Sequence, residues 1–108
     1  FPARVAFNLL PQVGQLLPTG ATEGEEQLRA EVSALLGRDS LVMSATCVRV
    51  PVFSCIAQSV TVELSTPVAV DDVRERFRQS PGIIVSDDPE SSVYPMNAEI
   101  TGTDAVYI

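Results

Sequence analysis

The most informative part of this 108-residue sequence lies near its middle, in the run Ser44-Ala45-Thr46-Cys47-Val48-Arg49-Val50-Pro51-Val52-Phe53. Residues 41–50 are rich in β-branched side chains and contain neither Gly nor Pro, which predicts a strand. Arg49 is the only charged residue between Leu41 and Gln58. A buried arginine needs a carboxylate or phosphate partner, and its guanidinium binds a carboxylate through two parallel hydrogen bonds. The pattern alone is equally consistent with an edge-strand arginine whose head lies in water.

Two helices are predicted on either side of this strand. Residues 22–36 begin with the Thr-x-x-Glu form of a capping box and end before Gly37, a residue typical of helix C-termini. Their apolar residues recur at helical spacing: Leu28, Val32, Leu35 and Leu36. Residues 70–79 form the second predicted helix, with acidic residues at the start and arginines towards the end, as the helix dipole favours.

Further strands are predicted at residues 4–9, 56–65, 83–85 and 104–108, with loops at 10–21 and 86–95. Apolar and polar residues alternate along 56–65, which is typical of a half-buried strand with one polar face. Helices and strands are mixed without the regular alternation of a doubly wound sheet. The sequence therefore predicts an α+β fold, with one mostly antiparallel mixed sheet and helices packed on one face.

Length and charge restrict the classes of function. One domain is expected from 108 residues. Seven Lys and Arg residues against fourteen Asp and Glu residues give a net charge of -7, which argues against nucleic-acid and anionic-membrane partners. No run of apolar residues is long enough for a membrane span, and no signal peptide is visible. The start at Phe1 and the stop within a predicted strand are expected to be cuts rather than natural termini.

The residue types present exclude several kinds of chemistry. There is no histidine, so neither a Ser–His nor a Cys–His pair is possible, and no metal site is expected. Cys47 and Cys55 match no zinc or redox spacing and are expected to be buried or half-buried thiols in a reducing cytoplasm, with a disulfide as the less favoured alternative. The glycines form no phosphate-binding motif, so this piece should bind no dinucleotide alone. The acidic pairs Glu25-Glu26 and Asp87-Asp88 are interpreted as solvated surface charge.

Five segments in order resemble the aspartate-semialdehyde dehydrogenase family along the whole chain: Ala6 to Gln12, Leu35-Leu36-Gly37, Ser44 to Phe53, Asp87-Asp88-Pro89 and Tyr94-Pro95-Met96. The resemblance implies that residues 1–108 are the substrate and dimerisation domain, with a fold like the C-terminal domain of glyceraldehyde-3-phosphate dehydrogenase. It also implies a cytoplasmic homodimer formed through the sheet. The NADP-binding domain would belong to another part of the parent chain, so this domain alone would bind no cofactor.

The family interconverts aspartate semialdehyde and aspartyl phosphate with NADP, through a nucleophilic cysteine. The resemblance places that cysteine before Phe1 and makes Cys47 a framework position. It places Arg49 at the position that binds the substrate carboxylate.

Three departures from the family pattern concern the reacting groups. Ile56 occupies the general-base position, seven residues after Arg49, and loss of such a base typically costs about 10²–10⁴ in rate. Gly24 and Gln27 stand where the family has a glutamate and a lysine that hold the substrate amine and the phosphate. A one-residue slip would put Glu25 in the glutamate's place, but no such slip restores the lysine.

These departures favour a catalytically impaired paralogue of the Usg-like kind, with no catalytic residue in this chain. An active NADP-dependent dehydrogenase of amino-acid biosynthesis is the alternative. An unrelated soluble adaptor is the least favoured hypothesis.

Overall fold

The computed structural model describes residues 1–108 and contains three helices and one two-stranded sheet. In chain order the elements are α1 Glu23–Leu36, α2 Val70–Arg78, β1 Ile83–Ile84, α3 Asn97–Ile100 and β2 Val106–Tyr107. The chain divides into two compact units, Phe1–Pro51 and Val52–Ile108. The predicted α+β class is confirmed, because helices and a short sheet are both present.

Helix α1, in the first unit, confirms the helix predicted at 22–36. Thr22 is its N-cap, and the capping box with Glu25 is formed. The Glu25 carboxylate accepts a hydrogen bond from the Thr22 N–H at 2.7 Å. Gly37 ends the helix in the left-handed conformation, with φ 61°, which a residue without a Cβ adopts at little cost.

The loop before α1 folds back onto the first turn of the helix. The N–H groups of Glu23 and Gly24 donate to the carbonyls of Gln15 and Val13 at 3.0 and 2.9 Å. These two donors have no partner within the helix itself. The loop therefore supplies the acceptors that the first turn needs.

Residues 41–50 are extended, and their exposure alternates, with the odd-numbered residues half-buried and the even-numbered ones exposed. The predicted strand is nevertheless wrong as a paired element, because only Arg49 makes a ladder contact, an antiparallel bridge to Leu10. Pro51 would stand opposite Asn8 in the next hydrogen-bonded pair of the ladder, and it has no N–H to form that pair. The strand predicted at 4–9 is also wrong, because Phe7 turns the chain with φ 58°.

The second unit contains the remaining helices and the sheet. Helix α2 confirms the helix predicted at 70–79 and lies against β1. Strands β1 and β2 run parallel, with Ile83 opposite Val106 and Ile84 opposite Tyr107. They confirm the strands predicted at 83–85 and 104–108, while the short helix α3 was not predicted.

The predicted mostly antiparallel mixed sheet is wrong, because the sheet consists of two parallel strands. The discrepancy arises at residues 56–65, which form no strand and have no ladder partner. Alternation of apolar and polar residues shows that one face of a segment suits burial. It does not show that the same chain supplies the strand beside it.

Very little of the chain is buried. Leu10, 6% exposed, is the only buried hydrophobic residue, and no residue of Val52–Ile108 is buried. Val60, Val62 and Leu64 are 71%, 66% and 56% exposed. None of the three helices has the length and apolar character needed to cross a membrane.

Candidate functional site

Both backbone polar groups of Arg49 are hydrogen-bonded to Leu10. Its N–H donates to the Leu10 carbonyl at 2.8 Å, and the Leu10 N–H donates to the Arg49 carbonyl at 3.0 Å. Leu10 is the buried apolar residue of this unit. Arg49, the candidate carboxylate-binding residue, is therefore hydrogen-bonded to the buried apolar residue of the first unit.

The side chain of Arg49 is half-buried and makes no ion pair or side-chain hydrogen bond within the chain. The Phe1 ring lies against the guanidinium, with 4.9 Å between Cζ and the ring centroid. Such stacking occupies the flat face of a guanidinium. The N–H groups along its edge are then the donors available for a planar carboxylate.

The Glu25 carboxylate connects the N-cap of α1 to the backbone of Cys47. One carboxylate oxygen accepts from the Thr22 N–H at 2.7 Å, and the other accepts from the Cys47 N–H at 2.9 Å. These hydrogen bonds, that from Thr22 first, lower the pKa of Glu25, because they favour the ionised form. The interpretation of Glu25 as solvated surface charge is wrong. The capping box was the signal for the first bond, and no sequence pattern indicated the second.

Position 24, where the resemblance implies a carboxylate, cannot hold a side chain without rearrangement. A Cβ on Gly24 would lie 2.8 Å from Val13 Cγ1 and 3.1 Å from the Val13 carbonyl oxygen. Gln27, at the lysine position, donates to Glu31 at 2.7 Å along the same helix. The start of α1 thus offers neither a cationic group nor space for a longer side chain at position 24.

The start of α1 lacks the free N–H groups that commonly hold a dinucleotide phosphate. A dinucleotide phosphate is normally held by free backbone N–H groups at a glycine-rich turn before a helix. Here the N–H groups of Glu23 and Gly24 are already bonded to loop carbonyls. A Cβ on Gly14 would lie 2.7 Å from Glu23 Oε2, so this glycine accommodates a carboxylate of the chain itself.

Ile56, which the resemblance places at the general-base position, lies in the second unit and is 85% exposed. It lines a cavity of about 250 Å³ together with Cys55, Ile100 and β2. An isoleucine neither accepts nor donates a proton, so this side chain cannot serve as a base. Cys55, beside it, has φ 69°, and its Sγ lies 3.7 Å from Thr101 Oγ1. Cys47 and Cys55 are both free thiols.

The remaining acidic residues interpreted as surface charge take part in local contacts. Asp87 accepts from Arg74 Nε at 2.6 Å, and this contact is the main reason that the pKa of Arg74 is raised. Asp88 accepts from Ser91, which lowers the pKa of Asp88. Glu26 pairs with Arg29 at 3.0 Å. These contacts stabilise local structure.

The chain is similar to known proteins over its whole length. A family model described as semialdehyde dehydrogenase, dimerisation domain, matches residues 1–108. Aspartate-semialdehyde dehydrogenase of Aquifex aeolicus (strain VF5) is 33% identical over 108 residues, which is all of this chain and 32% of the relative. The enzyme of the same name from Rickettsia bellii (strain RML369-C) is 36% identical over the same share of each chain. The chain thus spans about a third of the length of the curated relatives that it matches.

Proposed function

Because the chain belongs to the semialdehyde dehydrogenase family through its dimerisation domain, we propose that it forms the dimer interface and the substrate-side arginine site of an aspartate-semialdehyde dehydrogenase-like protein. We further propose that the parent protein is a Usg-like paralogue with impaired catalysis. The observation that carries the proposal is the contrast between Arg49, which is held in place, and Ile56, which replaces the base.

The apolar surface supports dimerisation. Large hydrophobic side chains along 56–65 are more than half exposed, among them Val60, Val62 and Leu64. Contiguous exposed apolar surface of this kind is typical of a protein interface rather than of a monomer's surface. Two partners are proposed: a second copy of the chain, and the NADP-binding domain of the parent chain. NADP itself is assigned to that domain.

Arg49 supports a site for a carboxylate-bearing substrate or ligand. Its guanidinium makes no ion pair within the chain, while its backbone is held by Leu10. A fixed arginine whose N–H donors remain unpaired suits bidentate recognition of a carboxylate. The proposed ligand class is therefore a small dicarboxylate or an amino-acid semialdehyde.

Impaired catalysis is supported at three positions. Ile56 supplies no proton acceptor, Gly24 has no room for a carboxylate side chain, and Gln27 has no positive charge. A lost general base alone raises the barrier by roughly 3–5 kcal/mol. The alternative, an active dehydrogenase of the aspartate pathway in the cytoplasm, is favoured by the names of the relatives and by Arg49.

The test is an assay of the full-length parent protein with aspartate semialdehyde, NADP and phosphate. We expect turnover about 10²-fold or more below that of an ordinary dehydrogenase. The matched variant is Ile56→His, with Ile56→Leu as its control for the change of side chain. Turnover at an ordinary dehydrogenase rate in the unmodified protein would contradict the impaired-paralogue proposal and support the alternative.

A further inference from the structure

The edge of the segment that carries Arg49 is occupied by two different partners. In an extended segment, residues two apart direct their N–H groups to the same side. The Arg49 N–H meets the Leu10 carbonyl, and the Cys47 N–H meets Glu25 Oε1 at 2.9 Å. In an antiparallel continuation of the Leu10–Arg49 bridge, Cys47 would pair with Gln12. The Glu25 carboxylate takes that place and ends the ladder.

Glu25 is itself rigidly mounted. It lies in the first turn of the 14-residue helix α1, and its second oxygen accepts from the N-cap Thr22 N–H at 2.7 Å. Hydrogen bonds to an ionised carboxylate are about twice as strong as those between neutral groups. The helix N-terminus also favours a negative charge at this place. One carboxylate therefore joins the helix to the segment two residues before Arg49.

Cys47 and Arg49 share the half-buried side of that segment, as the alternation of exposure shows. The segment is held at Arg49 by Leu10 and at Cys47 by Glu25. Two fixed points define a direction, whereas one bridge alone permits rotation about it. We infer that Glu25 is a positioning residue, whose carboxylate sets the direction from which the Arg49 guanidinium meets a carboxylate ligand. This inference rests on the proposed carboxylate site at Arg49.

The test uses the full-length protein, succinate as the probe, and the variants Glu25→Gln, Glu26→Gln and Arg49→Met. Gln is nearly the same shape as Glu, but its NH₂ group cannot accept from a backbone N–H. Glu26→Gln removes the same charge from the neighbouring residue, whose carboxylate is hydrogen-bonded to Arg29. We expect Glu25→Gln to weaken succinate binding about tenfold, as measured by calorimetry well below the unfolding temperature. Glu26→Gln should bind within about twofold of the unmodified protein.

A second measurement needs no ligand. The Phe1 ring, 4.9 Å from Arg49 Cζ, should shift the Arg49 Nε–H resonance in an NMR spectrum. Loss of that shift in Glu25→Gln, with its retention in Glu26→Gln, supports the positioning role. Retention of both the shift and succinate affinity in Glu25→Gln overturns it, even if Arg49→Met abolishes binding. Succinate binding that is absent from the unmodified protein, or unchanged in Arg49→Met, overturns the proposed carboxylate site and the positioning role together.

Discussion

Arg74 on α2 donates from Nε to Asp87 Oδ2 at 2.6 Å, and so ties the helix to the segment that follows β1. The same guanidinium also pairs with Asp71 at 3.1 Å, one turn earlier on the helix. Arg74 and Asp87 are each about a third exposed, whereas Asp71 is 94% exposed. The Asp87 contact is therefore the one that connects separate parts of the second unit.

Replacing Asp87 by Asn should lower the unfolding temperature of the full-length protein, because Arg74 on α2 loses its charged partner in the segment after β1. The effect should diminish as salt is added, since ions screen exposed pairs. Thermal unfolding followed by circular dichroism measures both quantities. The control Asp104→Asn removes the same charge from a residue that makes no ion pair. Equal unfolding temperatures for the two variants would show that the contact is dispensable.

Glu25 should make stability depend on pH in the acidic range. Its pKa is lower in the folded chain than in the unfolded chain, because the Thr22 and Cys47 N–H groups stabilise the ionised form. The contribution of Glu25 to the free energy of unfolding is therefore fully present above the ordinary glutamate pKa of about 4.3. It is lost as the pH falls through the lower pKa of the folded chain. Glu25→Gln should lose less stability across this window than the unmodified protein, as measured by chemical denaturation at several pH values. The control Glu26→Gln should retain the unmodified dependence.

Gly24→Ala should destabilise the protein, although alanine normally favours a helix over glycine by about 1 kcal/mol. The added Cβ would lie 2.8 Å from Val13 Cγ1, and crowding of this kind typically costs about 1–3 kcal/mol. The free energy of unfolding from denaturant titration measures the effect. In a Val13→Ala background the same substitution should cost less. A stabilising effect of Gly24→Ala would contradict the close packing of the loop on α1.

Cys55→Gly should be more stable than Cys55→Ala by about 1 kcal/mol, because φ at this residue is 69° and only glycine adopts such an angle without steric cost. Cys47 provides the matched comparison, because its φ is not positive. There Gly should be less stable than Ala. The same order of stability at both positions would contradict the backbone explanation.

The full-length protein should be a dimer at micromolar concentration by sedimentation. Val62→Asp should raise the dissociation constant at least about tenfold, since it places a charge in the apolar stripe of 56–65. Thr61→Asp adds the same charge to the neighbouring position, on the polar side of the alternation, and should have a smaller effect. A monomer in the unmodified protein would refute the dimer.

The sequence predicted those elements whose determinants are local. The capping box from Thr22 to Glu25 and the stop at Gly37 define α1 within a few residues, since each acts through near neighbours. The parallel pairing of Ile83 with Val106 depends on residues far apart in the chain, and no local pattern specifies it. The single turn of α3, which follows Pro95, is too short for periodicity to reveal.

The candidate site likewise contains residues that the sequence identified and a contact that it did not. Arg49 was identifiable because a lone charge in an apolar run is unusual, and Ile56 because it departs from the family pattern. The Glu25–Cys47 hydrogen bond spans 22 residues, which is beyond the reach of any local sequence pattern. Only the folded chain brings these groups together.

The exposed apolar side chains of 56–65 also affect how a cell must handle this protein before the proposed dimer forms. An apolar segment without a ladder partner is available for β-pairing with another exposed edge. Under the proposed dimerisation, a newly made chain meets a second copy, aggregates, or is captured by chaperones or proteases. The expected consequence is that the cellular level of the protein depends on its rate of synthesis relative to its rate of dimer formation, and that excess monomer is short-lived.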